Sequence, residues 1–418
     1  MNTDSQQQAL AGAKRLLRID DVLAAVQPAA RGSLAHGLAG TALLHARLSA
    51  TDSTFAAAAA AHWAEAAIQA KELGENGAGT YHSPGGLAAS LTIGTPYLPD
   101  PDSQRAATAR AALWLSARAV ELADRHRGYL NAGGIGTPWH VYDAITGLAG
   151  IGRVLLASID SGHNSAEPGL IAALDVLTAM IQTRYGARPG WWVSADNHPP
   201  GMHFHTSGAA NTGMAHGIAG PLALLALANM AGWSVAGQDA AIQEAAHWLL
   251  RWRTNDIAVW PPHLTGDELD SDIASPVPGR GDAWCYGIPG ISRSLALAGQ
   301  AIGDPQLTSA ADIAMSSLAG RPVNQWDVEG PTLCHGYAGV LQSAVGSQSG
   351  AAERAAAAIT ASFDPTHRFG FKHQENDSTS DEPGFLIGTA GVALALADHG
   401  GLPASAVPTS WDALLLLS

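Results

Sequence analysis

Hydrophobic and polar positions follow one another along this chain in long blocks, each set off by glycine. Ala-rich amphipathic stretches at about 5–26, 55–72, 104–125, 166–184, 238–253, 305–319 and 351–363 carry their charge on one side, the mark of helices with one face in water. Between Gln104 and Arg125, for instance, Arg105, Arg110, Arg118 and Glu121 interrupt Ala, Leu and Val. The runs in between, such as 222–230 and 392–397, hold almost no charge and predict helices buried on all sides. Each buried run opens on the same pattern: a glycine, two residues, then a second small residue. It occurs seven times, with first glycines at Gly37, Gly86, Gly147, Gly217, Gly287, Gly336 and Gly388. Their separations of 49, 61, 70, 70, 49 and 52 residues leave room for two helices and two loops, so the repeating unit is a helical hairpin.

Seven outer and seven inner helices predict an all-α fold, an α/α toroid of two concentric rings, because hairpins that close on themselves need no capping repeats. An open helical solenoid is the alternative. The unbroken repeat argues for a single domain over 1–418. Pro96, Pro99, Pro101 and the glycines near 133–136 interrupt repeats two and three, where a small irregular or β-rich insertion is expected at about 92–140.

Composition changes this picture little. With 47% hydrophobic and 14% charged residues, the chain has enough apolar surface for one large core. No stretch of about 18 apolar residues suggests an integral membrane segment. The polar start, Met1-Asn-Thr-Asp-Ser, does not read as a signal peptide, so a cytoplasmic protein is expected. A net charge of −14 argues against nucleic acid as a partner, since phosphate is gripped by clustered Lys and Arg.

Chemistry enters with the residues just ahead of the glycines, which ring closure brings to a common mouth. They include His36, Asp143, His216, Cys285-Tyr286, Cys334-His335 and 385–387. The two cysteines are the only ones in the chain. With His335 they form a soft three-ligand set that suits Zn²⁺ and leaves a fourth tetrahedral position open, as in catalytic sites. Inert buried thiols are the plainer reading, and a disulfide the third. His216 suits proton transfer near neutral pH but also fits a hydrogen-bonded histidine at a helix start. Asp143 suits an orienting carboxylate or a helix cap. The irregular segment 187–212, with Trp191-Trp192 and histidines 198, 203 and 205, reads as a rim placed to touch a peptide.

The runs Tyr142-Asp143-Ala-Ile-Thr-Gly147-Leu-Ala-Gly150, Gly213-Met-Ala-His216-Gly217-Ile-Ala-Gly220, Ala283-Trp284-Cys285-Tyr286-Gly287-Ile-Pro-Gly290 and Leu333-Cys334-His335-Gly336-Tyr-Ala-Gly339 together resemble the lanthionine synthetase C-like family, and within it the free-standing lanthipeptide (lantibiotic) cyclases. The resemblance runs from about His36 to Ala397. It implies a seven-fold α/α toroid, one Zn²⁺ per chain on Cys285, Cys334 and His335, and addition of a peptide cysteine to dehydroalanine or dehydrobutyrine to close a thioether ring. It implies His216 and Asp143 as catalytic residues, with Arg280 as a candidate to stabilise the enolate. Arg280 lies five residues before Cys285, whereas the family pattern places an arginine four before; a solvated loop arginine is the other reading. Trp284 and Tyr286 are expected in the substrate pocket or in the packing behind it. The implied partners are a dehydrated precursor peptide with its leader, a dehydratase, and a transporter that could hold the protein at the membrane periphery.

Two other functions compete with the cyclase. A zinc-dependent thiol- or glutathione-binding adaptor would bind a thiol and close no ring. A toroidal glycoside hydrolase would need paired carboxylates at the mouth, where the motifs place mainly cysteine and histidine.

Overall fold

The computed structural model describes residues 2–73, 79–198, 206–254, 259–274 and 281–418. In chain order its main helices are α1 (Thr3–Arg15), α2 (Leu38–Leu48), α3 (Ser53–Leu73), α4 (Gly85–Gly94), α5 (Arg105–Asn131), α6 (Leu148–Asp160), α7 (Glu167–Gln182), α8 (Ala219–Met230), α9 (Gln238–Arg251), α10 (Ile288–Ile302), α11 (Pro305–Gly320), α12 (Tyr337–Ser343), α13 (Ala351–Ala361) and α14 (Thr389–Gly400). The even-numbered helices form the inner ring and the odd-numbered ones the outer. Every neighbouring inner pair touches, and α14 meets α2 to complete the circle.

Each inner helix packs on the outer helix that follows it, and α1, the first outer helix, packs on α14, the last inner one. The seventh hairpin is therefore assembled from the two ends of the repeat region, which resolves the choice between ring and open solenoid in favour of the ring. An ion pair with a buried guanidinium secures the seam: Arg47 on α2 donates to the partly exposed Asp398 on α14 at 2.6 and 2.9 Å and to the carbonyls of Leu402 and Pro403. Buried charge is tolerated here because the guanidinium is so fully satisfied.

The inner helices form where the glycine pattern predicts. Every residue of α2 is buried, as is 148–158 of α6, in keeping with their mostly apolar sequence; the one arginine in each, Arg47 and Arg153, is buried with the rest. The second glycine of the motif has a steric role. A Cβ on Gly391 would overlap the carbonyl oxygen of Phe385, so the first helical turn can fold back onto its own loop only without a side chain.

The expected insertion at 92–140 is not β-rich. That stretch contains two short 3₁₀ turns, Thr95–Tyr97 and Pro101–Gln104, then the 27-residue α5 and the short helix Trp139–Tyr142. The prolines fall between helices, where they cap and turn the chain, and the Ala-rich run beyond them propagates as helix. The described strands lie elsewhere, in three antiparallel two-stranded pairs: Arg184–Tyr185 with Arg188–Pro189, Ala209–Asn211 with His263–Thr265, and His373–Glu375 with Ser378–Ser380.

The bore of the ring is filled. Residues 411–418 run into it, with Trp411, Leu415 and Leu416 fully buried. They are held from several repeats at once. Tyr81 Oη donates to the carbonyl of Leu414 at 2.5 Å, Trp284 Nε1 to Leu415 at 2.9 Å, Arg293 Nε to Leu417 at 2.7 Å and Arg153 Nε to Ser418 at 2.7 Å. Among the described residues, no helix is long and apolar enough to cross a membrane.

Candidate functional site

At the mouth the loops ahead of the inner helices are joined by a closed belt of backbone hydrogen bonds, each loop donating to the next. Ala35 N donates to Tyr81 O, Thr80 N to Ile145 O, Ala144 N to Ala215 O, Ala215 N to Cys285 O, Cys285 N to Cys334 O, Cys334 N to Leu386 O, and Leu386 N back to Ala35 O, all at 2.9–3.2 Å. Outside repeat two, the accepting residue always stands two positions before the motif glycine. Cys285 and Cys334 occupy that position in adjacent repeats, so their main chains are bonded to each other and their side chains emerge together.

The ligand atoms of Cys285, Cys334 and His335 lie within 4.8 Å of one another, and this is the one such group that could hold a metal among the described residues. Both cysteines are free thiols, which removes the disulfide reading. His335 Nε2 is buried without a hydrogen-bond partner, its Glu329 neighbour standing at 3.6 Å. A buried imidazole nitrogen left in this state is costly, and a cation shared with two thiolates satisfies it. The donor set fits a metal.

On the neighbouring side, His216 Nδ1 and Asp143 Oδ2 are 2.6 Å apart. The other oxygen, Asp143 Oδ1, accepts from the backbone N–H groups of Ile145, Thr146 and Gly147 and from Thr146 Oγ1. Asp143 thus ties down the loop ahead of α6 with one oxygen and partners the imidazole with the other, while the helix itself starts on Gly147 with no side-chain cap. A carboxylate so placed accepts from Nδ1–H, which leaves Nε2 as the nitrogen able to exchange a proton. Burial alone would lower the pKa of His216; the hydrogen bond and charge of Asp143, helped by Cys285, outweigh it and raise the value above the usual 6.5.

A family model described as lanthionine synthetase C-like protein matches residues 28–409. The chain belongs to that family. It is 26% identical over 206 residues to the nisin biosynthesis protein NisC of Lactococcus lactis subsp. lactis, an alignment that spans about half of each, 48% of this chain and 48% of that protein. The solved structure of nisin cyclase superposes with a TM-score of 0.74 over 93% of both chains at 20% identity. At that identity the likeness speaks for the fold.

Within this lanthionine synthetase C-like chain the remaining sequence candidates separate. Tyr286 is half-buried, and its hydroxyl accepts from Asn211 Nδ2 at 3.4 Å. Burial first, then the negative charge of Cys285, Asp143 and Cys334, pushes its pKa far above 10. Tyr286 therefore remains a neutral O–H donor in the midst of both clusters. Trp284 has no exposed surface and lies beneath the ligands, tied to the segment that fills the bore. Arg280, with His203 and His205 of the rim, lies outside the described residues. The loop that follows Arg280 is anchored, since buried Asp282 accepts from Arg321 Nη2 at 2.5 Å and from Asp327 N at 2.8 Å.

Sequence reasoning missed Trp139, which stacks on the His216 ring, and Tyr142, whose hydroxyl donates to the His216 carbonyl at 2.9 Å. It also missed Glu329. The signal for the first two was their place within one helical turn of Asp143; for Glu329 there was none.

Proposed function

We propose that this protein is a zinc-dependent lanthipeptide cyclase. The observation that carries the reading is the juxtaposition, within one closed mouth, of a Cys-Cys-His ligand set and a His–Asp pair. Cys285, Cys334 and His335 are the residues that hold the zinc. When bound, zinc lowers the pKa of a coordinated peptide thiol, so that its sulfur is available as a thiolate at neutral pH.

The substrate is a peptide bearing cysteine and dehydroalanine or dehydrobutyrine. A sulfur–carbon bond forms at the β-carbon, the double-bond electrons move toward the carbonyl, and the α-carbon takes a proton. The net change is addition of S–H across C=C, with nothing lost. His216 Nε2 delivers the proton to the α-carbon; its raised pKa favours the charged imidazole, and Asp143 holds it in the tautomer required. The proton released by the thiol restores that charged state. Tyr286, as an uncharged donor, and Arg280 are placed by this reading near the enolate oxygen. Because the substrate arrives dehydrated, a dehydratase acts before this protein, and a cytoplasmic site of action, with a transporter following, accords with that order.

A thiol-binding adaptor has no task for the His216–Asp143 pair. The two readings are separated by supplying a dehydrated cysteine-containing precursor peptide and counting free thiols over time by alkylation and mass spectrometry, with uncatalysed closure subtracted. The cyclase reading expects thiols to disappear at constant peptide mass, and metal analysis of protein never exposed to chelator to give one zinc per chain. Failure to close any ring on a cognate peptide overturns the enzyme; absence of stoichiometric zinc overturns the cofactor.

A further inference from the structure

We propose that Trp139 is a positioning residue for His216, and that the short helix Trp139–Tyr142 with Asp143 clamps the imidazole in the orientation proton transfer needs. This rests on the reading of His216 as the acid–base group. The helix reaches His216 at three points. Asp143 Oδ2 holds Nδ1 at 2.6 Å, Tyr142 Oη holds the main-chain carbonyl at 2.9 Å, and the Trp139 indole lies against the imidazole with ring centroids 5.0 Å apart and planes 18° from parallel.

The three contacts restrain different motions. The carbonyl bond fixes the backbone, and the carboxylate fixes one ring atom. Neither stops the ring from tilting about Nδ1, and only the flat indole face does. A tilt of about 30° swings Nε2 by about 1 Å, a misplacement that can cost on the order of 100-fold in rate. An aromatic face also favours the charged form of the ring it covers.

Trp139 is itself fixed. It is 6% exposed, its carbonyl accepts from Asp143 N at 2.9 Å, and the His198 ring meets it edge to face at 5.8 Å. Indole and carboxylate therefore move as one turn of helix, so the two restraints stay in register with each other. A residue that merely filled the core would need bulk at this position but no flat ring parallel to His216.

That difference decides the experiment. Trp139→Leu and Trp139→Phe are compared in full-length, zinc-loaded protein labelled with ¹⁵N in histidine. The downfield proton of His216 Nδ1–H, assigned by its disappearance in His216→Ala, is read with no substrate present. The expected result is that Trp139→Leu loses or broadens this signal and lowers kcat for ring closure about 10- to 100-fold, with KM and zinc content unchanged, while Trp139→Phe keeps the signal and stays within about threefold of the wild-type rate. Should Trp139→Leu fail to fold, Trp139→Met is read in the same way, having bulk without a plane. A folded Leu or Met variant that keeps both signal and rate overturns the clamp, as does a Phe variant that loses both to the same extent. If the wild-type protein closes no ring, the proton signal still decides the clamp, so failure of the cyclase reading and failure of this one are told apart.

Discussion

Repeats five and six join the mouth through the same belt of backbone hydrogen bonds as repeats three and four, yet the candidate residues on the two sides are held in different ways. On the side of the candidate metal ligands the two cysteines are members of the belt itself: Cys285 donates its N–H to Cys334 and accepts from Ala215. On the acid–base side the belt residues are Ala144, Ile145 and Ala215, and the working groups stand beside them, held by side-chain contacts to Asp143, Trp139 and Tyr142. In the proposed reading, main chain therefore sets the geometry of the cysteine ligands, and side chains set the proton-transfer geometry. The first is expected to fail all at once when a ligand is lost, the second by degrees as supports are removed.

The largest effect tests the metal side. Cys334→Ala or Cys285→Ala should reduce bound zinc from one per chain to nearly none, because two remaining ligands hold the ion weakly, and ring closure should fall by about 1,000-fold or more. The fold should survive, since the belt uses only backbone atoms. Metal analysis and a thermal melt check both halves; a variant that kept full metal would remove that cysteine from the ligand set.

His216→Ala should leave zinc and thiol binding in place and slow closure about 100- to 10,000-fold. Wild-type kinetics in this variant would move proton transfer to another group and erase the contrast between the two sides. Asp143→Asn is the graded case. Its Oδ1 can still accept from the N–H groups of Ile145, Thr146 and Gly147, but an amide facing Nδ1 no longer selects the tautomer. Closure should slow about 10- to 100-fold, less than for His216→Ala, with little change in melting temperature. Equal losses in both variants would mean that Asp143 does more than orient.

The smallest effect on activity is expected away from the mouth, at His45 on α2. Burial, then the nearby His62, lowers its pKa to about 3, although its ring bonds the carbonyl of Leu16. The unfolded chain binds this proton near pH 6.5 and the folded chain only near 3. Stability from this group is thus complete above pH 6.5 and declines as pH falls from there toward 3. His45→Gln should flatten that decline in denaturant unfolding while leaving ring closure at neutral pH unchanged. An unaltered acid slope would assign the loss to other groups.

Much of this architecture was legible because it is periodic. Inner helices poor in charge and outer helices with one polar face set the ring, and the seven glycines located its mouth. Cys285, Cys334, His335, Asp143 and His216 were findable because each lies within four residues ahead of a motif glycine. The belt was not, since backbone bonds between loops tens of residues apart leave no pattern in side chains. Nor was the stacking of Trp139, which in sequence is one tryptophan among 12. Of the irregular or β-rich forms expected for 92–140, the β-rich one is not found, because proline-rich punctuation marks the end of a helix as readily as the start of a strand. The apolar run Leu414–Leu417 gave no hint of its destination, because apolar residues specify burial but not where.

That destination governs traffic. With residues 411–418 occupying the bore and gripped from several sides, the toroid is a cup and not a tube. If the proposed cyclase reading holds, a peptide at the mouth has one way in and the same way out, and it does not thread. Polycyclic stretches already cross-linked, too stiff and wide for a channel, meet no obstacle, and a long chain can be presented segment by segment while the rest of it hangs in solvent. Ring size and ring order then become matters of how a flexible peptide folds back over an open surface, with no gauge imposed by the hole in the fold.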